Sequence, residues 1–520
     1  MYLHQPSNTV VYDLPDPSRV LKYVKEARSL HNGYVAVPAS LYNLQLLRWI
    51  GLPVPPPMEK DYDWPGKYKP FEAQSVTANF LAVHPRAFVL SDMGTGKTLA
   101  ALWAADYIMR QSLPHVCRAL VVAPLSTLER VWADAVFQTF MGSRKGVVLH
   151  GSAEKRKRLL AQEADFYIVN YDGLRVIAKE LAARTDIPMA IVDEASAYKD
   201  RTTHRHKLAR QLLGPKNYLW LMTGTPTANG PLDAYGLAKL VNNCNGESYM
   251  SYRDRTMTRL SMFKWVPKQG AHVEAYKLMQ PAVRFAIEDC VDLPEMSVQK
   301  RDVELSAEQA KAFKEMKRDL QLMIKEKQIN AANEAVLRMK LIQISCGAVY
   351  GHSDSGGDVH RVVHHLDCSP RVSVLHEVIE QAREKIIVFA PLTSVLHMLH
   401  SELSKDYSCR IINGEVSQKE RSEIFSAFQQ EENPRILIAD PGTMAHGLTL
   451  VAATTIIWYA PIDRTELYLQ ANKRIHRPGQ TRACIVVQLS ATAIEREIYR
   501  RLEANETMQG LILQMVKGEG

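Results

Sequence analysis

The sequence predicts an α/β protein: two lobes built on parallel sheets, a mainly helical insertion between them, and a small α+β unit in front. Three observations lead there. Short apolar runs alternate with helix-spaced amphipathic stretches between residues 67 and 240, the pattern of a buried parallel sheet with helices on both faces. The alternation lapses from about Leu240 and resumes after about residue 370. The chain has 520 residues, 46% of them apolar and 23% charged, enough for about three globular domains. The segments are therefore 1–66, 67–240, 241–370 and 371–520, the last ending in a brace helix.

In the front unit, Asn8 to Leu14 alternates like a strand, and Val20 to Leu30 and Leu41 to Ile50 have helical spacing. Leu52 to Gly66, LPVPPPMEKDYDWPG, reads as an extended proline-rich linker. The unit serves either as packing for the first lobe or as an accessory that engages a ligand.

In the first lobe, Ala87 to Ala101 reads AFVLSDMGTGKTLAA: apolar strand, glycine loop, helix. Gly94 and Gly96 let the backbone close around a polyphosphate, with loop amides and the helix start turned toward negative charge. Thr95 lies between them, Lys97 reaches terminal phosphates, and Thr98 supplies a hydroxyl to Mg²⁺. Ser91 stands where the general pattern has glycine. The alternative is a glycine turn before an ordinary helix. Upstream, in KPFEAQ, the Gln74 amide can both donate to and accept from an adenine edge.

Later strands end in polar motifs: Leu120–Ala123 in PLSTLERVW, Phe166–Val169 in NYDGL, Met189–Val192 in DEAS, Tyr218–Met222 in TGTP. Strand carboxyl ends are where a parallel sheet carries its site. Two acids closing a buried strand are costly unless they bind something. Asp193 is therefore assigned to Mg²⁺ and Glu194 to orienting and deprotonating an attacking water; the alternative is a helix cap with an exposed acid. Thr223 and Thr225 have hydroxyls to link that pair to bound nucleic acid.

Between the lobes, Ser306–Gln328 and Ala331–Ile344 read as long helices and Gly351–His360, GHSDSGGDVH, as a flexible loop. Cys346, His352, His360, His364, His365 and Cys368 raise zinc, but their spacing matches no compact ligand pair. The second lobe predicts strands at Lys385–Ala390, Arg410–Ile412, Arg435–Ala439, Thr454–Tyr459 and Cys484–Leu489, and it has no phosphate loop of its own. A lobe of that kind can supply cations to its neighbour's nucleotide. In QANKRIHRPGQ, Arg474 and Arg477 are three apart, which predicts one helical face; the alternative is a basic helix end on the surface.

Composition narrows the class. The net charge of +8 is a mild basic bias compatible with nucleic acid. Seven cysteines without a CxxC pair fit a reducing compartment rather than a disulfide framework. The first twenty residues lack a secretion signal, and runs such as Thr454–Ile462 are too short to span a bilayer. The expected setting is the cytoplasm of a bacterium or a virus-infected cell, with no membrane partner.

Taken together, DMGTGKT, APLSTLERVW, NYDGL, DEAS, LMTGTPTANG, GLTL (Gly447–Leu450) and QANKRIHRPGQ resemble superfamily 2 nucleic-acid motors, more closely the Swi/Snf-type DNA translocases. RIHRPGQ is close to that family's final motif, and VDLPEMSVQKRDVELSAEQ is similar to its inter-lobe segment. The resemblance runs from about Lys69 to Lys517. It implies RecA-like lobes and a DNA-dependent ATPase using ATP and Mg²⁺. Gln74 then reads adenine, Gly94 to Thr98 hold phosphates and Mg²⁺, and Asp193 and Glu194 run hydrolysis. Arg474 and Arg477 close on the γ-phosphate. Pro124, Ser126 and Thr127, with Gly447, Leu448 and Thr449, lie near the DNA-contacting motifs. Ser196 and Thr449 depart from the usual His and Asn. The compact form is similar to phage and bacterial members and to the annealing-helicase branch that rewinds and reverses forks. The expected partner is duplex or branched DNA, gripped without regard to sequence. Three rivals stand beside it: a strand-separating RNA or DNA helicase, the motor subunit of a restriction or defence complex, and an ATP-switched clamp without turnover.

Overall fold

A computed structural model describes all residues except 31–32, 68, 113–116, 262–264, 326–330, 356–357, 445–448 and 518–520. It forms two compact units: residues 1–258, 266–291 and 509–520, and residues 259–265 and 292–508.

The first unit begins with β1 (Tyr2–His4), β2 (Thr9–Asp13), β3 (Arg28–Ser29) and β4 (Tyr34–Pro38), antiparallel in the order β1-β2-β4-β3. Val10, Tyr12, Val35 and Val37 bury one face against Leu44 and Leu47 of the helix Leu41–Trp49, which starts where Ser40 Oγ accepts from Asn43 N at 3.4 Å. The other predicted helix is shorter than its spacing suggested, Ser18–Tyr23. Val24 turns extended and buried, and Arg28–Ser29 pairs with β4. Sheet pairing overrides local propensity there.

The proline-rich stretch is not a free tether. Met58 and Tyr62 are buried in the lobe's own core cluster. Asn79 Oδ1 accepts from Met58 N at 2.8 Å, Tyr62 OH donates to Asp106 Oδ2 at 2.8 Å, and Trp103 Nε1 donates to the Pro65 carbonyl at 2.9 Å. Trp64 meets Trp103 edge to face. Prolines supply extended backbone without unpaired amides, while the interleaved aromatics supply the contact area.

Between the front unit and the lobe, Gln45 Nε2 donates to the Ala82 carbonyl at 2.8 Å, and Arg48 Nε donates to His84 Nε2 at 3.0 Å. His84 Nδ1 pairs with the Phe80 carbonyl at 2.8 Å, so the ring is held neutral with its proton on Nδ1. Burial pushes its pKa down to about 4. A folded-state pKa below the unfolded one contributes stability that is present above about pH 6.5 and lost as pH falls toward 4. Each tenfold change in proton affinity corresponds to about 1.4 kcal/mol. Thermal melts between pH 7 and 4 are expected to fall less steeply in His84→Gln than in the native chain; parallel curves would remove His84 as a cause.

The first lobe's sheet comprises β5 (Arg86–Val89), β6 (Ala119–Ala123), β7 (Gly146–Val148), β8 (Phe166–Asn170), β9 (Met189–Val192) and β10 (Tyr218–Met222). After a small ribbon of β11 (Met257–Arg259) with β12 (Trp265–Pro267), β13 (Ala282–Val283) joins it. The order is β13-β5-β10-β9-β6-β8-β7, all parallel. Alternate residues go to opposite faces: Phe88, Leu120, Val122, Ala190 and Leu221 to one core, Ala87, Val121, Ile168, Ile191 and Trp220 to the other. That two-sided burial is why these strands read as unbroken apolar runs.

The second unit carries β14 (Met296–Asp302), the hairpin β15 (Ala348–Ser355) and β16 (Asp358–His365), then β17 (Lys385–Phe389), β18 (Cys409–Ile412), β19 (Ile436–Ala439), β20 (Ala453–Trp458) and β21 (Cys484–Ser490). Its sheet runs β14-β21-β20-β17-β19-β18, all parallel. Both sheets carry flanking helices, the build of RecA-like ATPase lobes.

Two features of the 241–370 stretch differ from the sequence reading. First, β13 and β14 lie within it and complete the two sheets. β13 is two residues long, and β14 is polar and half exposed, so neither shows a periodicity. Second, GHSDSGGDVH is not a loop but the tip of a registered hairpin, from Ala348↔His365 to Ser355↔Asp358. Adjacent glycines between two paired runs are a turn signal; residues 356–357 lie outside the described residues. The helices Ala307–Lys325 and Ala331–Cys346 stand where they were expected. Among the described residues no cluster of three or more potential ligands could hold a metal ion, and no helix is long and apolar enough to cross a membrane.

Candidate nucleotide site

The site is built at the carboxyl ends of β5, β9 and β10. β5 runs into a loop in which Gly94 (φ +87°) and Gly96 (φ +75°) take left-handed backbone. Gly96 is required twice over. It caps the helix Lys97–Gln111, and a Cβ there would collide with Nε2 of Gln74. The Gln74 amide, buried in the helix Glu72–Val83, therefore lies against the loop, its Oε1 accepting from Phe71 N at 3.2 Å. Lys97 Nζ donates to the carbonyls of Ser91 and Asp92, both at 2.8 Å, and Thr95 Oγ1 donates to the Asp92 carbonyl at 2.9 Å. Thr98 is half-buried in the first turn of that helix. Gly224 packs on this loop: a Cβ there would stand 3.4 Å from the Ser91 carbonyl. Thr223 N donates to the Val89 carbonyl at 3.0 Å.

β9 delivers the acids. Asp193 Oδ2 accepts from Trp132 Nε1 at 3.0 Å and Oδ1 from Glu194 N at 3.0 Å. Burial pushes the Asp193 carboxyl up, against the Trp132 hydrogen bond and the Lys97 charge. A buried carboxylate raised in this way suits a hard cation with oxygen ligands. Glu194 sits in the left-handed region (φ 45°, ψ 52°), a conformation costing a non-glycine residue about 1 kcal/mol or more. Tyr171 OH of NYDGL braces that turn, donating to the Asp193 carbonyl at 2.8 Å and the Glu194 carbonyl at 3.2 Å. Thr223 Oγ1 accepts from Thr225 N at 3.1 Å, while Thr225 Oγ1 is buried with no partner among the described residues.

The remaining predicted residues are elsewhere. Pro124 begins a single 3₁₀ turn; Ser126 is exposed, and Thr127 is buried with its hydroxyl on the Pro124 carbonyl at 2.9 Å. Thr449 is exposed; Gly447 and Leu448 lie outside the described residues.

In the second unit, Arg474 and Arg477 do not share a helical face. The helix Thr465–Asn472 ends before them, and both sit in the turn that comes next. Pro478 disfavours helix at the residue before it, and Gly479 takes φ +98°. Gln480 closes the turn, its Nε2 donating to the carbonyls of Val451, Ala453 and Ile475 at 3.0 to 3.1 Å. Arg474 is 1% exposed, whereas Arg477 is half-buried with Nε on the Lys473 carbonyl at 2.8 Å.

Trp132, Tyr171, Gln480 and Arg284 were missed by sequence reasoning. The first three stand inside quoted motifs, but nothing in their spacing reveals that they orient other groups.

Comparison with known proteins adds the lineage. The family model for the SNF2-related domain matches residues 81–346, and that for the helicase conserved C-terminal domain matches residues 370–479. Protein p41 of Acyrthosiphon pisum secondary endosymbiont phage 1 is 24% identical over 86% of this chain and 99% of its own length. The SWI/SNF-related matrix-associated actin-dependent regulator of chromatin subfamily A-like protein 1 of Xenopus tropicalis is 25% identical over 79% of this chain, which spans only 41% of that protein. A solved structure, the Sulfolobus solfataricus SWI2/SNF2 ATPase core in complex with dsDNA, is 21% identical over 87% of this chain and 94% of its own, with a TM-score of 0.40. With more than half of its residues inside the first family model, the protein belongs to the SNF2-related family.

Proposed function

We propose that the protein is an ATP-driven motor that translocates on double-stranded DNA and remodels branched DNA or protein–DNA structures by moving the duplex. The observation that carries this reading is the convergence, in an SNF2-related chain, of the Lys97 loop and the Asp193–Glu194 turn at the carboxyl end of one sheet. In this reading Gln74 binds adenine, the amides of Gly94 to Thr98 cradle phosphates, and Lys97 leaves its two carbonyls for phosphate oxygens. Thr98 and Asp193 hold Mg²⁺, which supplies charge neutralisation and orients the phosphates when bound. Glu194, presented by its left-handed turn, takes the proton of the attacking water. Arg477 of the second lobe stabilises charge on the transferring phosphoryl group. Ser126, Thr127 and Thr449, with Gly447 and Leu448, belong to segments that meet DNA phosphates, which gives a sequence-independent, salt-sensitive grip. The match over nearly the whole of the phage protein supports a compact form of the family.

Movement on intact duplex is expected to displace the third strand of a triplex in an ATP-dependent manner while leaving a plain partial duplex largely paired. Efficient unwinding of long plain duplexes with no triplex displacement would overturn the reading in favour of a strand-separating helicase.

A further inference from the structure

We infer that Arg284 is a positioning residue of the phosphate loop: it neutralises Asp92, so that Lys97 remains available to a nucleoside triphosphate. The inference deepens, and rests on, the reading of this loop as a nucleotide site.

The loop carries an acid of the wrong sign for its task. Asp92 stands between the strand and the glycines, and it is 4% exposed. A buried carboxylate needs a countercharge, and beside an incoming polyphosphate an uncompensated one repels the ligand. The Arg284 guanidinium provides that countercharge, Nη2 lying 3.5 Å from Asp92 Oδ1, with its side chain 10% exposed. Arg284 Nε and Nη1 are buried without a hydrogen-bond partner among the described residues. A cation desolvated to that degree is costly, and Asp92 is the group whose charge offsets it.

The backbone around Arg284 holds Leu90, Ser91 and Asp92. Asp92 N donates to the Phe285 carbonyl at 2.9 Å, and Leu90 N donates to the Val283 carbonyl at 2.8 Å. Ser91 Oγ accepts from Phe285 N at 3.0 Å, and Asp92 Oδ2 accepts from Ile287 N at 3.4 Å. Ser91 thus has a use that glycine could not serve: its hydroxyl ties the loop to the segment after β13 that carries Arg284. Lys97 Nζ already touches the Asp92 carbonyl. If Arg284 is removed, Lys97 is a cation close at hand for the Asp92 carboxylate, and a lysine held there is withdrawn from phosphate.

The test is a charge-compensation cycle on the full chain, read as the affinity for a fluorescent ATP analogue and as KM and kcat for ATP in the presence of duplex DNA. Arg284→Ala is expected to weaken analogue binding and raise KM about tenfold or more. Asp92→Asn added to it is expected to recover most of that loss, because the amide needs no countercharge. Arg284→Met, which keeps the aliphatic packing and deletes only the charge, replaces Arg284→Ala if the latter does not fold. Unchanged affinity in the folded single variant overturns the inference. So does a double variant as weak as the single one, the result expected if Arg284 serves packing alone. Wild-type protein that binds no analogue overturns the nucleotide reading itself.

Discussion

Glu194→Gln is expected to bind ATP with near-native affinity and to lose turnover by roughly a hundredfold to ten-thousandfold, the range for a lost general base. The amide is nearly isosteric and fits the same turn, so φ 45° and the Tyr171 bond to the Glu194 carbonyl can persist. The substitution removes the ability to accept the water's proton and little else. Single-turnover hydrolysis measured beside equilibrium binding of a fluorescent analogue separates the two effects. Turnover within a few-fold of native would show that the base is another group. Lys97→Ala makes the complementary case, because its ammonium sits on the Ser91 and Asp92 carbonyls where phosphate oxygens are expected. There, binding itself should weaken.

Arg477→Ala is expected to keep DNA affinity and to lower DNA-stimulated turnover by about a hundredfold or more, the order of a lost arginine finger. The structure makes Arg477 a cleaner test than Arg474. Arg477 is half-buried in a turn held by Gln480, so its loss removes its own bond to the Lys473 carbonyl and leaves the Gln480 bonds in place. Arg474 is 1% exposed, so Arg474→Ala mixes any catalytic loss with a core defect. Arg477→Lys should recover only part of the rate, since lysine keeps the charge but not the planar fork. Weakened DNA binding with an unchanged rate would move Arg477 from the nucleotide to the DNA.

Much of the candidate site was legible because its chemistry is local. The glycines, Lys97 and Thr98 are contiguous, and an Asp–Glu pair ending an apolar strand is costly enough to announce itself. The arginines were assigned by motif and expected on one helical face; Pro478 and Gly479 instead make a turn there. The proline-rich stretch was misread for a related reason. Composition reports the backbone that Pro55 to Pro57 favour, but not that Met58, Tyr62 and Trp64 find a surface to cover.

The sequence by itself determined the α/β class, the strands of both sheets with long apolar runs, the glycine loop ahead of Lys97 and the position of the acid pair. Strands buried on both faces must be apolar throughout, and loops that bind phosphate need glycine, so both leave their mark in consecutive residues. Only the tertiary structure decided that β13 and β14 complete the sheets, that Trp132 and Tyr171 hold the acids, and that Arg284 faces Asp92. Those pairings join residues far apart in the chain, Asp92 with Arg284 and β14 with β21 among them. Their energy comes from burial and charge compensation across space, and no local periodicity records it.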